Sequence, residues 1–282
     1  TSFYGQGTWN HSDSLRTVFG LRHTKDEVYS AVTNFYGRSG TDILETDGNK
    51  VTGRFVVEKD LDDDTMLYGS FTRGYKPGGS NLTYGREGVV AQIVVLPTFQ
   101  EEIVDAFEVG LKTDLADGRV RLNTAAFLYN YEGLQYQATD PEVFEGGVGN
   151  IPDSEIYGAE LELSTFLSDS VILDLRMSWL DTEITANHLA LDNVESEAAT
   201  NALLAQGIGL FSNDVQVARA GRIQNVKGNE LAKTPSFTGN VALNWSNDHN
   251  WGELRGTLQY TYRGGFKHRI FNKTNGKSFR RY

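Results

Sequence analysis

The chain has 282 residues, enough for one large domain or two ordinary ones, with 30 glycines, only 5 prolines, and 13 Tyr, 15 Phe and 4 Trp. A net charge of −11 excludes a general nucleic-acid binder, and the lack of cysteine excludes a disulfide framework or a thiolate metal site. No run of 18 apolar residues offers a membrane helix, which leaves open a membrane β-barrel, whose apolar residues hide at alternate positions.

No signal peptide opens the chain, and residue 1 reads as lying inside an element, as in a piece of a longer protein. The period is two from there on. Residues 2–10 and 15–33 form one pair of strands, 51–60 and 65–77 the next. In "LYGSFTRGYKPGGSN" (67–81), Leu67, Gly69, Phe71 and Tyr75 alternate with Tyr68, Ser70, Thr72 and Lys76 until Lys-Pro-Gly-Gly ends the strand. Arg73 falls on the apolar side. Either it stays high on that face, or a bulge at Gly74 turns it inward. Residues 103–115 set Ile103, Phe107, Val109 and Leu111 against Glu102, Glu108, Lys112 and Asp114, and an "ADGR" turn leads to Val120, Leu122, Ala126 and Leu128. Tyr157, Leu161 and Leu163 oppose Glu160 and Glu162. After a turn at 168–170, Val171, Leu173, Leu175, Met177 and Trp179 oppose Asp174, Arg176 and Ser178. The last hairpin turns at "NDHN". It puts Val241, Leu243, Leu254, Leu258 and Tyr260 on one face and Asn244, Glu253, Arg255 and Gln259 on the other.

The count is roughly ten strands, many of the ~9–11 residues that cross a bilayer obliquely. Connections alternate in length. Short ones lie near 12–13, 61–64, 116–118, 168–170 and 247–250, and long ones near 35–50, 77–100, 139–154 and 185–233. Short turns at one end and long loops at the other mark an outer-membrane barrel. A soluble sheet with one solvated face explains the alternation equally well. Strand length and loop asymmetry favour the barrel, where Glu160 and Glu162 face a wet lumen.

Few motifs carry chemistry. "LDDDT" (61–65) lacks the glycine and distal Glu of a calcium loop and reads as a solvated turn. The histidines at 11, 23, 188, 249 and 268 are scattered, so no metal site is expected. Glu160 and Glu162 are read as solvated side chains rather than a catalytic pair, and no catalytic residue or cofactor is expected. "VESEAATNALLAQGIG" (194–209) has helical spacing; it is either a lid over the mouth or a plain surface excursion. From Leu122 to Leu175 there are ten acidic residues and no Lys or Arg, whereas every charged residue after Glu253 is basic.

"LYGSFTRGYKPGGSN" resembles the barrel of TonB-dependent outer-membrane receptors, in which an aromatic-rich strand ends in Arg-Gly-aromatic-Lys and a glycine-rich loop. "EIVDAFEVGLKTDLADGRVRLNTAAFLYNYEGLQ" (102–135), "IYGAELELS" (156–164) and "LRTVFGLRHT" (15–24) resemble further strands of that family. The likeness covers nearly the whole chain and is weakest in 185–233. It implies an all-β, antiparallel up-and-down transmembrane barrel segment in the bacterial outer membrane. Residues 1–282 would be part of a single barrel domain of 22 strands, about the eleventh to the twentieth, with the plug domain absent from this chain. The implied function is energy-coupled uptake of a scarce nutrient such as a ferric siderophore; the alternative is a passive channel or structural barrel. The implied partners are the TonB complex acting through the plug, outer-membrane lipid and lipopolysaccharide, and an extracellular ligand. The candidate ligand-contacting segments are 77–100, 139–154 and 185–233.

Overall fold

The computed structural model describes residues 1–33, 41–81, 95–139 and 146–272. Its frame is one ten-stranded antiparallel sheet. The strands are β1 (Ser2–Ser12), β2 (Leu15–Thr33), β3 (Thr41–Asp60), β4 (Thr65–Lys76), β7 (Glu102–Leu115), β8 (Val120–Thr139), β9 (Gly146–Ser168), β10 (Val171–Ile184), β13 (Phe237–His249) and β14 (Gly252–Arg263). They pair strictly in chain order, so the expected up-and-down barrel wall is what forms. Two small pairs lie in the connections: β5 (Gly79–Ser80) with β6 (Thr98–Phe99), and β11 (Leu189–Leu191) with β12 (Ile223–Asn225). The second connection also holds helices α1 (Asn193–Leu204) and α2 (Asn213–Ala220).

Local chemistry explains the short turns. Asp117 and Gly118 adopt positive φ, 54° and 78°, and Arg119 N donates to Ala116 O at 3.1 Å. That twist matches the twist of the flanking strands. At 61–64, Leu61 N donates to Thr65 O and Asp64 N to the Asp62 side chain, leaving an exposed turn.

Residues opposite one another across a ladder share a face. Phe19, Phe55, Phe71, Phe107, Leu128 and Tyr157 therefore form one row across six strands. Leu258 opposes Leu243, which opposes Leu173. The other face is polar and cross-linked. Arg16 donates to Glu58 at 2.6 Å and to Asp60 at 2.8 Å, and Asn244 donates to Asp174 at 2.7 Å. Ser178 donates to Glu160 at 3.3 Å, and Arg176 lies 3.8 Å from Glu162. Tyr68 donates to Glu108 at 2.7 Å, and its ring lies where a side chain on Gly110 would be, so it hugs the wall.

Arg73 is resolved by the register. The β4–β7 ladder runs unbroken from Thr65↔Thr113 to Lys76↔Glu102, so no bulge turns it inward. It stays on the apolar face, where its Nε donates to Asp105 at 2.6 Å. At ~3.4 Å per residue it stands about 27 Å along the strand from Thr65, which a tilt of ~40° brings to the upper edge of a ~25 Å apolar band.

Two expected long loops are shorter than the sequence suggests. Strand β3 begins at Thr41 and β9 at Gly146, so 41–50 and 146–154 belong to strands, not to connections. The hairpins β2–β3 and β8–β9 rise well above the others, with strands of 19 to 23 residues. Neither face of these extensions meets lipid, so polar and apolar residues are mixed on both and the alternation by which a strand is recognised is lost. On β2–β3, His23 bonds Asn49 at 2.7 Å and Lys25 pairs with Glu27 at 2.6 Å.

A facing test follows. Leu258 is 74% exposed on the apolar face. In a full barrel in a bilayer, Leu258→Arg is expected to cost about 2–4 kcal/mol, and Gln259→Arg on the polar face little, in a reversible outer-membrane folding assay. Equal costs would contradict the facing.

Candidate functional site

All three segments singled out in the sequence meet on the upper part of the β8–β9 hairpin. Residues 82–94 and 140–145 lie outside the described residues; the flanks of those segments do not. Asn81 is buried and donates from Nδ2 to Leu96 O and Val148 O at 2.9 and 3.0 Å, while its Oδ1 accepts from Val148 N at 2.8 Å. One side chain thus closes the 77–100 connection on itself and fastens it to β9. Below it, Gln135 Nε2 donates to Pro77 O at 2.8 Å and Asn150 Nδ2 to Gln100 O at 2.9 Å.

The 185–233 connection folds onto the opposite flank. Ile151, Ile184, Ala190, Val226, Leu231 and Ile270 form a closed apolar cluster, with Tyr136 and Ile156 against it. Ile156 and Ile184 belong to the polar face by register, so this connection covers the lumen side of the wall. A change of phase makes that possible. Gly133, with φ of 68°, stands opposite Pro152, which has no N–H to offer. Below this point Tyr129 and Tyr131 pair with Ile156 and Ser154 on the polar face. Above it Leu134, Tyr136 and Ile151 have changed sides and join the cluster. Asn150 takes up the Gly133 carbonyl at 2.7 Å.

The helix read at 194–209 is α1, one turn shorter at its end. Asp192 is its N-cap, accepting from Glu195 N at 3.3 Å, and is fully buried. Arg269, beyond β14, pairs with the same carboxylate and lies over Phe271, 5.6 Å from the ring centre. Asn229 donates to Ile270 O at 2.7 Å and Lys233 N to Lys267 O at 2.6 Å. The segment after β14 is thus a strap across the lid. On the lid's inner side, His188 Nε2 and Tyr136 Oη lie 2.8 Å apart with their rings edge to face, and burial pushes the His188 imidazole below its ordinary pKa.

At the top of β8 and β9 an open cleft of about 410 Å³ is lined by Lys76, Gln135, Tyr136, Gln137 and 146–148. That is the size of a small-molecule site. It offers one cation, amides and an aromatic hydroxyl, the equipment for binding a polar solute. Sequence reading located the segments but not Asn81, Asn150, Asp192 or Arg269, since a single side chain that bonds a distant backbone leaves no periodic trace. Glu160 and Glu162, weighed as a carboxylate pair, lie below this site on the lumen wall, facing Ser178 and Arg176.

A wall of strands in chain order, with tight turns at one end and a fastened, solute-sized cleft at the other, defines a transmembrane β-barrel of the receptor type. The family described as TonB dependent receptor-like, beta-barrel matches residues 1–279, and the chain belongs to it. That family is one of receptors and transporters, and its members are β-barrels of the outer membrane of Gram-negative bacteria. A probable TonB-dependent siderophore receptor of Acinetobacter baumannii, PiuA, is 26% identical over 172 residues, 60% of this chain and 22% of that protein. Its solved structure superposes with a TM-score of 0.62 at 15% identity, over 94% of this chain and 36% of PiuA. The ferric yersiniabactin uptake receptor FyuA of Yersinia pestis gives a TM-score of 0.68 at 20% identity, over 96% of this chain and 35% of FyuA. The copper transporter OprC gives 0.60 at 13% identity, over 95% of this chain and 35% of OprC. The chain therefore spans between about a fifth and a third of these relatives' lengths.

Two measurements probe the lid. Asp192→Ala removes a cap and one partner of a buried pair, and is expected to cost the lid about 2 kcal/mol locally, so that amides of 185–233 exchange roughly 30-fold faster while the strands keep their protection. The pH dependence has a definite sign. Burial in the closed lid disfavours the charged form of His188. As pH falls through the ordinary value of 6.5 the open lid takes up a proton that the closed lid resists, so closure weakens on acidification and is complete above that pH. Corrected for intrinsic exchange, lid amides should open more at pH 5 than at pH 7, and His188→Gln should remove the difference.

Proposed function

We propose that the chain forms part of the single barrel domain of an energy-coupled receptor that takes up a scarce nutrient such as a ferric siderophore across the bacterial outer membrane. The observation that carries this reading is the fastening of two long extracellular connections, 77–100 and 185–233, to the top of the β8–β9 hairpin, beside a cleft in the hairpin itself, while the opposite end has only tight turns. A passive channel has no need of a lid with its own core and a strap. The siderophore and metal cargoes in the names of the similar proteins support the ligand class.

On this reading no bond is made or broken in the ligand. Ligand binds at the cleft among the extracellular segments, and Lys76 favours an anionic chelate there. Lipopolysaccharide and lipid surround the apolar face. A plug domain outside this chain relays the pull of the TonB complex and opens the path along the polar wall.

The test uses the full-length parent in living cells. Uptake of a labelled ferric chelate is expected to stop in a TonB-deficient strain while surface binding persists. Deleting 186–232 is expected to reduce binding and leave the strand ladder folded. Undiminished uptake without TonB would mean a passive pore.

A further inference from the structure

The lumen face is not polar throughout. On β8, Phe127, Tyr129 and Tyr131 follow one another at alternate positions on that face, opposite Glu108, Ala106 and Val104 of β7. Each ring is half-buried. Phe127 and Tyr129 are stacked, with ring centres 4.7 Å apart and planes at 23°. Phe127 lies over Gly158 of β9, where an added side chain would come within 2.8 Å of the ring. On the β7 side the wall is low. Ala106 and then Thr72 stand level with Tyr129, and in the row above Val104 folds over Gly74. These strands leave a shelf about 10 Å wide beside the Tyr129 ring. Glu108, one row down and held by the Tyr68 hydroxyl, bounds it below.

Successive rings on a wetted wall need a reason. Among the described residues, Tyr136 and Ile156 pack against the lid's apolar cluster, but none of the β8 rings below Gly133 does. Their height is that of a solute arriving from outside. Phe127 and Tyr131 stand seven and eleven residues above Val120. At ~3.4 Å per residue and a tilt of ~40°, that is about 18–29 Å above the turns, the outer part of a ~25 Å band and its mouth. Lys76, which lines the cleft, faces the lumen two residues above Gly74. The shelf therefore opens upward into the cleft, with a cation at the join.

We propose that this shelf is a subsite for an aromatic ring, so that the solute taken up is a ferric chelate bearing aryl groups. One ring lies on Ala106 and Thr72 against Tyr129, while the anionic part of the chelate meets Lys76. An aliphatic group of the same size would gain only from leaving water. A flat ring adds offset or edge-on contact with Tyr129 and Tyr131, so the shelf selects for the ring itself. The inference rests on the uptake function proposed above and names the class of solute.

The experiment takes the full-length parent in mild detergent and measures equilibrium binding of radioactive iron(III) complexed by benzohydroxamate or by cyclohexanehydroxamate. The two complexes share donor atoms and charge and are close in size, so Lys76 treats them alike and only the aromatic character differs. The benzohydroxamate complex is expected to bind roughly fivefold more tightly. Tyr129→Leu should abolish that preference while keeping the affinity for the cyclohexane complex, and Tyr129→Phe should retain it. Gln259→Leu, on the same face away from the shelf, should leave both affinities unchanged. Heat-modifiable migration reports whether each variant is folded, and if Tyr129→Leu is not, Ala106→Leu, which fills the shelf, serves in its place. Equal affinities in the natural protein, a preference that survives the Tyr129→Leu change, or no binding of either complex would overturn the subsite. A shelf covered by the plug domain would give the first of these results. TonB-dependent uptake without a ring preference would overturn the subsite and leave the receptor standing, whereas uptake independent of TonB would overturn both.

Discussion

The structure depends on one constraint, that each strand's backbone hydrogen bonds go to the next strand in the chain. Ten strands pair in sequence order, so the peptide groups between β1 and β14 have partners whatever surrounds the sheet. Side chains are then released from satisfying the backbone, and their only common rule is the alternation of faces. That rule is permissive. The apolar face accepts Phe at 71, Gly at 69 and Leu at 67, and even Arg73, because Asp105 meets its charge where the band ends.

Above the apolar band neither face meets lipid, and alternation has nothing to enforce. The tops of β2–β3 and β8–β9 therefore tolerate a phase change that would be ruinous lower down. At Gly133 and Pro152 both strands change sides together, so the register is kept while Leu134 and Ile151 turn to the lumen. A lone slip would have put apolar residues into water on one strand only. The pair adds Leu134 and Ile151 to Ile156 and Ile184 as the apolar surface on which the lid closes. A backbone peculiarity of one glycine thus helps set where the 185–233 excursion can fold.

This division also explains what was legible in the sequence. The strands between the turns carry the two-residue period, and their order, facing and short turns could be read from residues such as Leu254, Leu258 and Tyr260 against Glu253 and Gln259. Strand tops could not, since "TDILETDGNK" mixes polar and apolar residues on both faces and reads as a loop. Arg73 was open to two readings because only the register distinguishes a bulge from a paired cation. The helix at 194–209 was visible in its composition, but the docking of that helix was not. Asp192 finds Arg269 across 77 positions, and no local pattern announces such a contact.

Fastenings of this kind bear on how one barrel wall can serve different cargoes. The ladder fixes the cleft through β8 and β9, while the connections beside it are fastened by few polar side chains, Asn81 on one flank and the Tyr136–His188 and Asp192–Arg269 contacts on the other. Changing what hangs there leaves the ladder's hydrogen bonds untouched, so the cost of altering the ligand site is local. The same few contacts set how readily those connections part from the strands. Each contributes on the order of 1–2 kcal/mol net, so a ligand that favours one arrangement by a few kcal/mol can shift the lid between closed and open without deforming a strand. Specificity and mobility thus reside in the same side chains, and the wall beneath stays rigid because its bonds run from strand to strand and not through the lid.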